Sequence, residues 1–135
     1  MSIDWQGFVE SMLAETNGKL QRVAIVTHQG TVLGRTESIE PAPEEIPLLL
    51  GIFEDSARLA GERPRFSISG TQCNGIGVDH DQQMAVFDWS RSMATVVVAK
   101  TKTTLLIAFS TTAVGCTSTM NTVAPYADRL RETGY

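Results

Sequence analysis

Five short segments rich in β-branched and aromatic residues follow one another between residues 65 and 110. Residues that favour turns, mainly Gly, Asp, Ser and Thr, separate these segments, and this pattern predicts five successive strands. The predicted strands are Arg65–Ser69, Gln72–Val78, Gln83–Asp88, Thr95–Lys100 and Thr103–Ser110. Because consecutive strands joined by short turns pair antiparallel, this part of the chain predicts an antiparallel sheet.

Two further segments rich in Val, Ile and Thr, Gln21–Thr27 and Thr31–Thr36, come before this run. Only His28-Gln29-Gly30 separates them, and a short connection that contains glycine predicts a β-hairpin. The chain therefore supplies about seven strands.

Three segments show the spacing of helices. The first is Ser2–Glu15, with Ser2 as the predicted N-cap and Asn17-Gly18 as the predicted end. The second opens at Pro43, because proline and the acidic residues after it are favoured in a first helical turn. Its apolar side chains are Ile46, Leu49, Leu50, Phe53, Ala57 and Leu59.

The third helical segment is Thr117–Glu132, and it contains Pro125. A proline inside a helix predicts either a start near Ala124 or a kink at that point. The order of elements is thus helix, two strands, helix, five strands and helix. This order predicts one α+β domain over residues 1–135, with helices packed on the faces of a central antiparallel sheet.

Charge and composition narrow the class of protein. The 135 residues carry a net charge of −4, which gives no attraction to nucleic acid or anionic membranes. The longest apolar runs, Ile46–Phe53 and Thr104–Phe109, are too short to span a bilayer, and the N-terminus lacks the pattern of a signal peptide. Cys73 and Cys116 lie far apart without a CxxC pattern, which favours two free thiols in a reducing compartment. A cytoplasmic protein is the expectation.

Three patterns that could carry chemistry have simpler interpretations. Asp79-His80-Asp81 contains metal-binding residue types, but neighbouring strand residues point to opposite faces, so a solvated hairpin turn is favoured. Neither histidine of the chain is obviously placed to act as a base for the Cys116 thiol. The glycines between residues 70 and 77 do not precede a helix as a phosphate loop does, so bulges or close packing explain them better. The sequence predicts no catalytic centre, no metal site and no cofactor.

Two aromatic residues stand out by position. Trp5 has a simple interpretation as a helix residue that packs on the sheet. Tyr135 is harder to explain in this way, because the last residues of a chain usually fray and carry small polar side chains. A tyrosine there indicates a ring that is packed or used in binding.

Six segments, in order along nearly the whole chain, resemble the profilin family. Ser2-x-x-Trp5-x-x-Phe8-Val9 looks like the profilin N-terminal helix, and VAIVTHQGTVLG at 23–34 resembles its first two strands with their glycine turn. PEEIPLLLGIFED at 43–55 looks like its second helix. Its central strand is similar to Ser69-Gly70-Thr71-Gln72-Cys73. Its Lys-Thr turn and the strand after it are similar to Lys100-Thr101 and Leu105-Leu106-Ile107. Its closing helix is similar to residues 126–135. The resemblance rests on all six segments occurring in this order.

The resemblance implies a fold and a function. The fold has the N- and C-terminal helices on one face of the sheet and a further helix on the other. The function is to bind actin monomers without catalysis, and to regulate polymerisation by sequestration, nucleotide exchange and delivery to filament ends. By the same resemblance, the actin-binding residues are Gln72, Asn74, Arg91, Val114, Thr117, Met120, Asn121 and Ala124. Family members present several basic residues on this face, where this chain supplies mainly Arg91.

The resemblance also implies a surface for proline-rich segments, as found in proteins such as formins, and it implies phosphoinositide lipids as further ligands. A preformed polyproline II helix loses little entropy when it docks on flat rings. The residues of this surface would be Trp5, Phe8, Leu33, Arg129, Leu130 and Tyr135. Leu33 stands where profilins typically have a second tryptophan, Phe8 replaces a tyrosine, and Arg129 replaces His or Tyr. One indole and one phenol are lost, so weakened binding is expected.

A scaffold of the roadblock type is the alternative interpretation. Residues 23–59 also resemble its apolar strand, glycine turn, second strand and helix. Such scaffolds dimerise and bind small GTPase machinery, and they lack a paired surface built from a helix like that of Trp5 and an aromatic C-terminus. A monomer, which is the expectation here, favours the profilin interpretation, and a dimer favours the scaffold.

Overall fold

The computed structural model describes residues 4–36, 39, 41–54, 66–68, 71–89, 94–111 and 113–135. The helices are α1 (Trp5–Glu15), α2 (Ile46–Glu54), which follows a 3₁₀ turn at Pro43–Glu45, and α3 (Cys116–Glu132). The strands are β1 (Arg22–Thr27), β2 (Val32–Arg35), β3 (Phe66–Ile68), β4 (Thr71–Asp79), β5 (Met84–Trp89), β6 (Ala94–Lys100) and β7 (Thr104–Thr111). Ser2, Ala57 and Leu59, which the sequence assigned to helices, lie outside the described residues.

The seven strands form one antiparallel sheet in the order β2-β1-β7-β6-β5-β4-β3. From β3 to β7 each strand pairs with the next one along the chain, and β1 then pairs with β7. Strands β6 and β7 are central and are buried along almost their whole length. The predicted α+β fold with a sheet of about seven antiparallel strands is confirmed.

Alternating side chains of β1 point to two different cores, one on each face of the sheet. Val23 and Ile25 belong to the core under α1 and α3, whereas Ala24 and Val26 belong to the core that contains α2. The helical residues of the first core include Val9, Met12, Val123 and Ala127, and those of the second include Ile46, Leu49 and Ile52. The N- and C-terminal helices thus share one face and α2 lies on the other, as the resemblance implied.

The prediction of Ser2 as the N-cap of the first helix is wrong. Asp4 takes this role, and its Oδ1 atom accepts a hydrogen bond from the Gly7 N–H at 3.0 Å. Aspartate is as good an N-cap as serine, and the prediction did not consider Asp4. The predicted end is confirmed, because Asn17 and Gly18 both have positive φ, at 53° and 83°.

Helix α3 begins at Cys116 and includes Pro125, so the predicted start near Ala124 is wrong. A proline cannot donate to the carbonyl four residues earlier, here that of Asn121. Asn121 and Pro125 are both exposed, so water can satisfy this carbonyl. Buried Thr119 and Val123 meanwhile fix the turns before the proline against the sheet.

The residues between β4 and β5 form the hairpin turn that the sequence favoured over a metal site. Asp79 Oδ1 accepts a hydrogen bond from the Gln82 N–H at 3.1 Å, and Gln83 has a positive φ of 53°. The pairing of β4 with β5 shifts register between Gly75 and Gly77, which confirms a bulge at these glycines. Among the described residues, no cluster of His, Cys, Asp and Glu could hold a metal ion.

Candidate functional site

Two aromatic rings from distant parts of the sequence meet where α1 begins. The ring centroids of Trp5 and Tyr135 lie 5.0 Å apart and the ring planes are 84° apart. This edge-to-face geometry is one that aromatic pairs prefer. Both side chains are half-buried, so each ring keeps part of its surface accessible. The prediction that Trp5 and Tyr135 lie together on packed terminal helices is confirmed.

A second ring pair continues this surface along the seam between α1 and α3. The ring centroids of Phe8 and Tyr126 lie 6.0 Å apart, again edge to face. The Tyr126 hydroxyl donates to Glu15 Oε1 at 2.8 Å, and the Arg129 guanidinium carbon lies 5.4 Å from the Tyr126 ring centroid. Burial, and then the bond to Glu15, raise the pKa of Tyr126 above its usual value. We call Trp5, Phe8, Tyr126 and Tyr135 the aromatic surface.

Trp5 is held in place by a close approach between α1 and strand β2. A Cβ atom on Gly34 would lie 2.8 Å from the main-chain oxygen of Trp5, so only glycine fits without displacing the helix. The Gln6 side chain completes the contact, since its Nε2 atom donates to the Arg35 oxygen at 3.0 Å and its Oε1 atom accepts from the Arg35 N–H at 3.2 Å. The amide of Gln6 thus pairs with β2 as a peptide group of a neighbouring strand would.

Tyr135 is held by the turn between β6 and β7. Its main-chain oxygen accepts hydrogen bonds from the hydroxyl of Thr101 at 2.8 Å, from the hydroxyl of Thr103 at 3.0 Å, and from the Thr103 N–H. Its N–H donates to the Leu130 oxygen at 2.9 Å. Thr101 is buried and also accepts from the Thr104 N–H at 3.2 Å. We call Thr101 and Thr103 the threonine clamp.

The structure places the residues that were predicted for proline-rich ligands in three ways. Trp5, Phe8 and Tyr135 belong to the aromatic surface, and Arg129 is exposed beside it. Leu33 is half-buried and packs against the core under α1 and α3. Leu130 is fully buried in this structure, and its role as a ligand contact stays a prediction. It follows Tyr126 by four residues, so the two lie on the same side of α3.

Tyr126 is a member of the aromatic surface that the sequence did not predict. The available signal was its spacing, because Tyr126 and Arg129 are three residues apart and therefore neighbours on one side of a helix. Its spacing from Leu130 pointed equally to the core, where most of its side chain does lie. Sequence spacing could not show that its hydroxyl would reach Glu15.

The first turns of α3 surround an open cavity of about 660 Å³. Its lining residues are Lys19, Val114, Gly115, Cys116, Thr117, Ser118, Asn121 and Thr122. Three residues predicted to bind actin, Val114, Thr117 and Asn121, are among them. Met120 and Ala124 are half-buried against the core under α3. Lys19 was not predicted, and it brings a positive charge to this group.

Other residues predicted to bind actin lie elsewhere. Asn74 is exposed on β4 and does not line the cavity at the start of α3. Gln72 also lies on β4, whereas α3 packs on β5, β6 and β7. Arg91 lies outside the described residues. The structure thus brings together the α3 part of the predicted set and leaves the β4 part separate from that cavity.

The two cysteines occupy different surroundings. Cys73 is fully buried on β4, and burial raises the pKa of its thiol to about 12, so it stays protonated at neutral pH. Cys116 is half-buried at the edge of the cavity at the start of α3. In the part of the chain that the structure describes, no helix is both long and apolar enough to cross a membrane.

These features define a class of protein, namely a small α+β binding module. It has paired rings at the C-terminal end of its last helix and an open polar cavity at the other end. The sequence model of the Profilin family matches residues 3–135. The chain therefore belongs to the profilin family, and the roadblock-type scaffold is not its family.

Solved structures of profilins share this fold. Acanthamoeba castellanii profilin II is 23% identical, with 97% of this chain and 99% of that chain covered and a TM-score of 0.79. Mouse profilin IIa in complex with a double repeat from the FH1 domain of mDia1 is 17% identical, with 98% and 100% covered and a TM-score of 0.80. LokiProfilin2 in complex with rabbit actin is 16% identical, with 98% of each chain covered and a TM-score of 0.74. A comparison with the sequences of curated proteins finds no match.

Proposed function

We propose that this protein binds monomeric actin and regulates its polymerisation by sequestering monomers, promoting nucleotide exchange and delivering monomers to filament ends. Membership of the profilin family over residues 3–135 supports the proposal, as does the fold shared with LokiProfilin2, which was solved with rabbit actin. The observation that carries it is the gathering of Val114, Thr117 and Asn121 around one open cavity. Their side chains offer polar and apolar contacts to a partner of protein size.

Binding of monomeric rabbit actin to the purified protein tests this proposal. We expect saturable binding in the micromolar range, and Arg91→Glu should weaken it because a negative charge replaces a positive one opposite an acidic partner. Arg129→Glu is the matched control, since it makes the same change of charge in the last turn of α3, at a residue that does not line the cavity of Val114, Thr117 and Asn121, and it should leave actin binding intact. If monomer binding is undetectable at tens of micromolar, roughly the weak end of useful affinity, the proposal fails.

A second function is favoured by the aromatic surface. We propose that the half-buried rings of Trp5, Phe8 and Tyr135 bind proline-rich segments, with the buried Tyr126 ring packed against Phe8 and with Arg129 as an additional donor at the edge. The edge-to-face pairing of Trp5 with Tyr135 supports this, because it leaves ring surface available for a polyproline II ligand. Mouse profilin IIa, which has the same fold, was solved with an FH1 double repeat. Leu33 in place of a tryptophan makes the affinity weak.

The remaining features of the proposal follow from this assignment. The protein acts by binding and not as an enzyme, it is a monomer, and it works in the cytoplasm in association with the cytoskeleton. Phosphoinositide lipids are further ligands to test. Size-exclusion chromatography with light scattering checks the oligomeric state, and a stable dimer of the purified protein would contradict the expected monomer.

A further inference from the structure

A second, smaller cavity lies beside the aromatic surface, between the end of α1 and the middle of α3. Its volume is about 300 Å³. The residues that matter here are Glu15, Lys19, Thr122, Tyr126 and Arg129, all of which line it. We call it the α1–α3 cavity. Tyr126 belongs both to this cavity and to the aromatic surface, so the two are continuous.

The charges around the α1–α3 cavity are unbalanced. Lys19 and Arg129 are exposed, and neither forms an ion pair with any residue that the structure describes. Arg129 lies over the Tyr126 ring, and that ring is fixed in turn by the hydrogen bond of its hydroxyl to Glu15. Two positive charges therefore face one carboxylate, and one oxygen of that carboxylate is already engaged. In a chain of net charge −4, this is a local positive site.

The distance from the aromatic pair to this cavity suits a single extended ligand. Trp5 meets Tyr135 at one end of the seam and Glu15 meets Tyr126 at the other, so α1 and α3 run antiparallel along it. At about 1.5 Å rise per helical residue, Trp5 and Glu15 are about 15 Å apart along α1. A polyproline II helix rises about 3.1 Å per residue, so about five of its residues span this distance.

We propose that the α1–α3 cavity is a subsite for an acidic side chain that flanks the proline tract of a peptide ligand. The inference rests on the proposed binding of proline-rich segments and names the ligand class that this chain prefers. The prolines would lie on the aromatic surface, and an aspartate or glutamate about five residues away would reach Lys19 and Arg129. Because charge-assisted contacts add to ring contacts, the acidic flank compensates in part for the tryptophan that Leu33 replaces.

Six labelled peptides test the subsite by fluorescence anisotropy at low salt. Each has ten prolines and carries Asp-Asp, Asn-Asn or Lys-Lys at one end, and both ends are tried. We expect the Asp peptide to bind about two- to fivefold more tightly than the Asn peptide, as one or two exposed ion pairs provide. Added salt should remove this ratio, because it screens exposed charges.

Charge reversal at Lys19 gives the sharpest comparison. In Lys19→Glu the cavity has two acidic residues and one basic residue, so the Lys peptide should now bind more tightly than the Asp peptide. Lys102→Glu is the matched control, because Lys102 is an exposed lysine in the turn between β6 and β7 that does not line the cavity. This control should keep the preference of the wild type for the Asp peptide.

The outcomes separate the subsite from the function on which it rests. If the Asn peptide binds but the Asp peptide binds no more tightly, the subsite is refuted and proline-rich binding stands. If no peptide binds, the acidic subsite and proline-rich binding are both refuted. Vesicles of phosphatidylserine and of phosphatidylcholine alone test a membrane as the occupant. Lys19-dependent binding to the anionic vesicles, without a preference for the Asp peptide, would also overturn the subsite proposal.

Discussion

The two ends of α3 are built in different ways. At the C-terminal end, Arg131 donates to the main-chain oxygens of Gln82 at 2.8 Å and Lys100 at 2.7 Å, and the threonine clamp holds Tyr135. At the N-terminal end, the helix starts after Gly115 without a side-chain cap, and its first turns surround an open cavity of about 660 Å³. The C-terminal end is thus fixed by hydrogen bonds to distant turns of the chain. The N-terminal end is anchored on its buried side, where Thr119 bonds to Ser110 of β7, and is open on its exposed side.

This difference fits the two kinds of partner proposed. A proline-rich segment is thin and makes few contacts, so its affinity depends on rings that are already in place before it binds. A folded protein partner brings a large surface of its own and can fill an open cavity. The comparison therefore predicts that changes at the fixed end act on peptide binding and stability, and that changes at the open end act on actin binding.

The largest expected effect is that of Trp5→Ala. Removing an aromatic residue from the centre of a binding surface costs about 2 kcal/mol or more, so the affinity for a proline-rich peptide should fall by about 30-fold or more. Actin binding should be spared, because Trp5 on α1 contacts Tyr135 beyond the C-terminal end of α3 and does not line the open cavity at its N-terminal end. Calorimetric titration measures both. Leu48→Ala, which removes an exposed apolar side chain of α2, is the control. A parallel loss of actin binding would contradict the claim that the two ends of α3 bind different partners.

Thr101→Val should show that the hydrogen bonds of the threonine clamp hold Tyr135 at the C-terminal end of α3. The substitution keeps the shape but removes the hydroxyl that donates to Tyr135 and accepts from the buried Thr104. A buried group that loses its partner costs about 1–3 kcal/mol, so urea unfolding should show a loss of this size together with weaker peptide binding. Thr103→Val, at an exposed position of the same clamp, should cost less. Equal stability of Thr101→Val and wild type would refute the role of the clamp.

Leu33→Trp should raise the affinity of the aromatic surface for proline-rich peptides. An added indole restores a ring face and an N–H donor beside Trp5, and an aromatic contact of this kind is worth about two- to tenfold in peptide affinity. Anisotropy of a labelled proline-rich peptide measures the gain. Absence of a gain, together with a wild type that never responds, would show that the aromatic surface binds no proline-rich ligand.

The smallest effect concerns the hydrogen bond from Tyr126 to Glu15. The pKa of Tyr126 is raised in the folded state, so the unfolded state loses its proton first as the pH rises above the usual value of 10.0, and stability then falls. Tyr126→Phe should lose about 0.5–1.5 kcal/mol at neutral pH and should fall less steeply above pH 10. The raised pKa of Cys73 contributes the same alkaline loss to both proteins, so their difference reports Tyr126 alone. Identical alkaline slopes would contradict the hydrogen bond.

Much of the fold could be predicted because local patterns specified it. The segments rich in β-branched residues, separated by turn residues, predicted the seven strands, and Asn17-Gly18 marked the end of α1. Boundaries were predicted less well where two residues could play the same part, as with Ser2 and Asp4. The effect of Pro125 was left between two alternatives, a start near Ala124 and a kink, because it depends on whether the freed carbonyl meets water, and only the packing of α3 decides that.

The candidate site could be predicted only in part. The rings at positions 5 and 135 were found because the family resemblance covers both ends of the chain. The threonine clamp could not be found, since Thr101 and Tyr135 are far apart in sequence and threonines at turns are common. Lys19 was missed for a related reason, because nothing in its surroundings along the chain indicates the two cavities that it lines.

The most direct test of two separate binding ends is one titration. Monomeric rabbit actin is titrated with the fluorescently labelled protein, once alone and once with a proline-rich peptide at a concentration that saturates the aromatic surface. Independent ends of α3 predict saturable actin binding with the same affinity in both titrations. Displacement of actin by the peptide, or no actin binding in either titration, would contradict the proposal that α3 presents two surfaces for two partners.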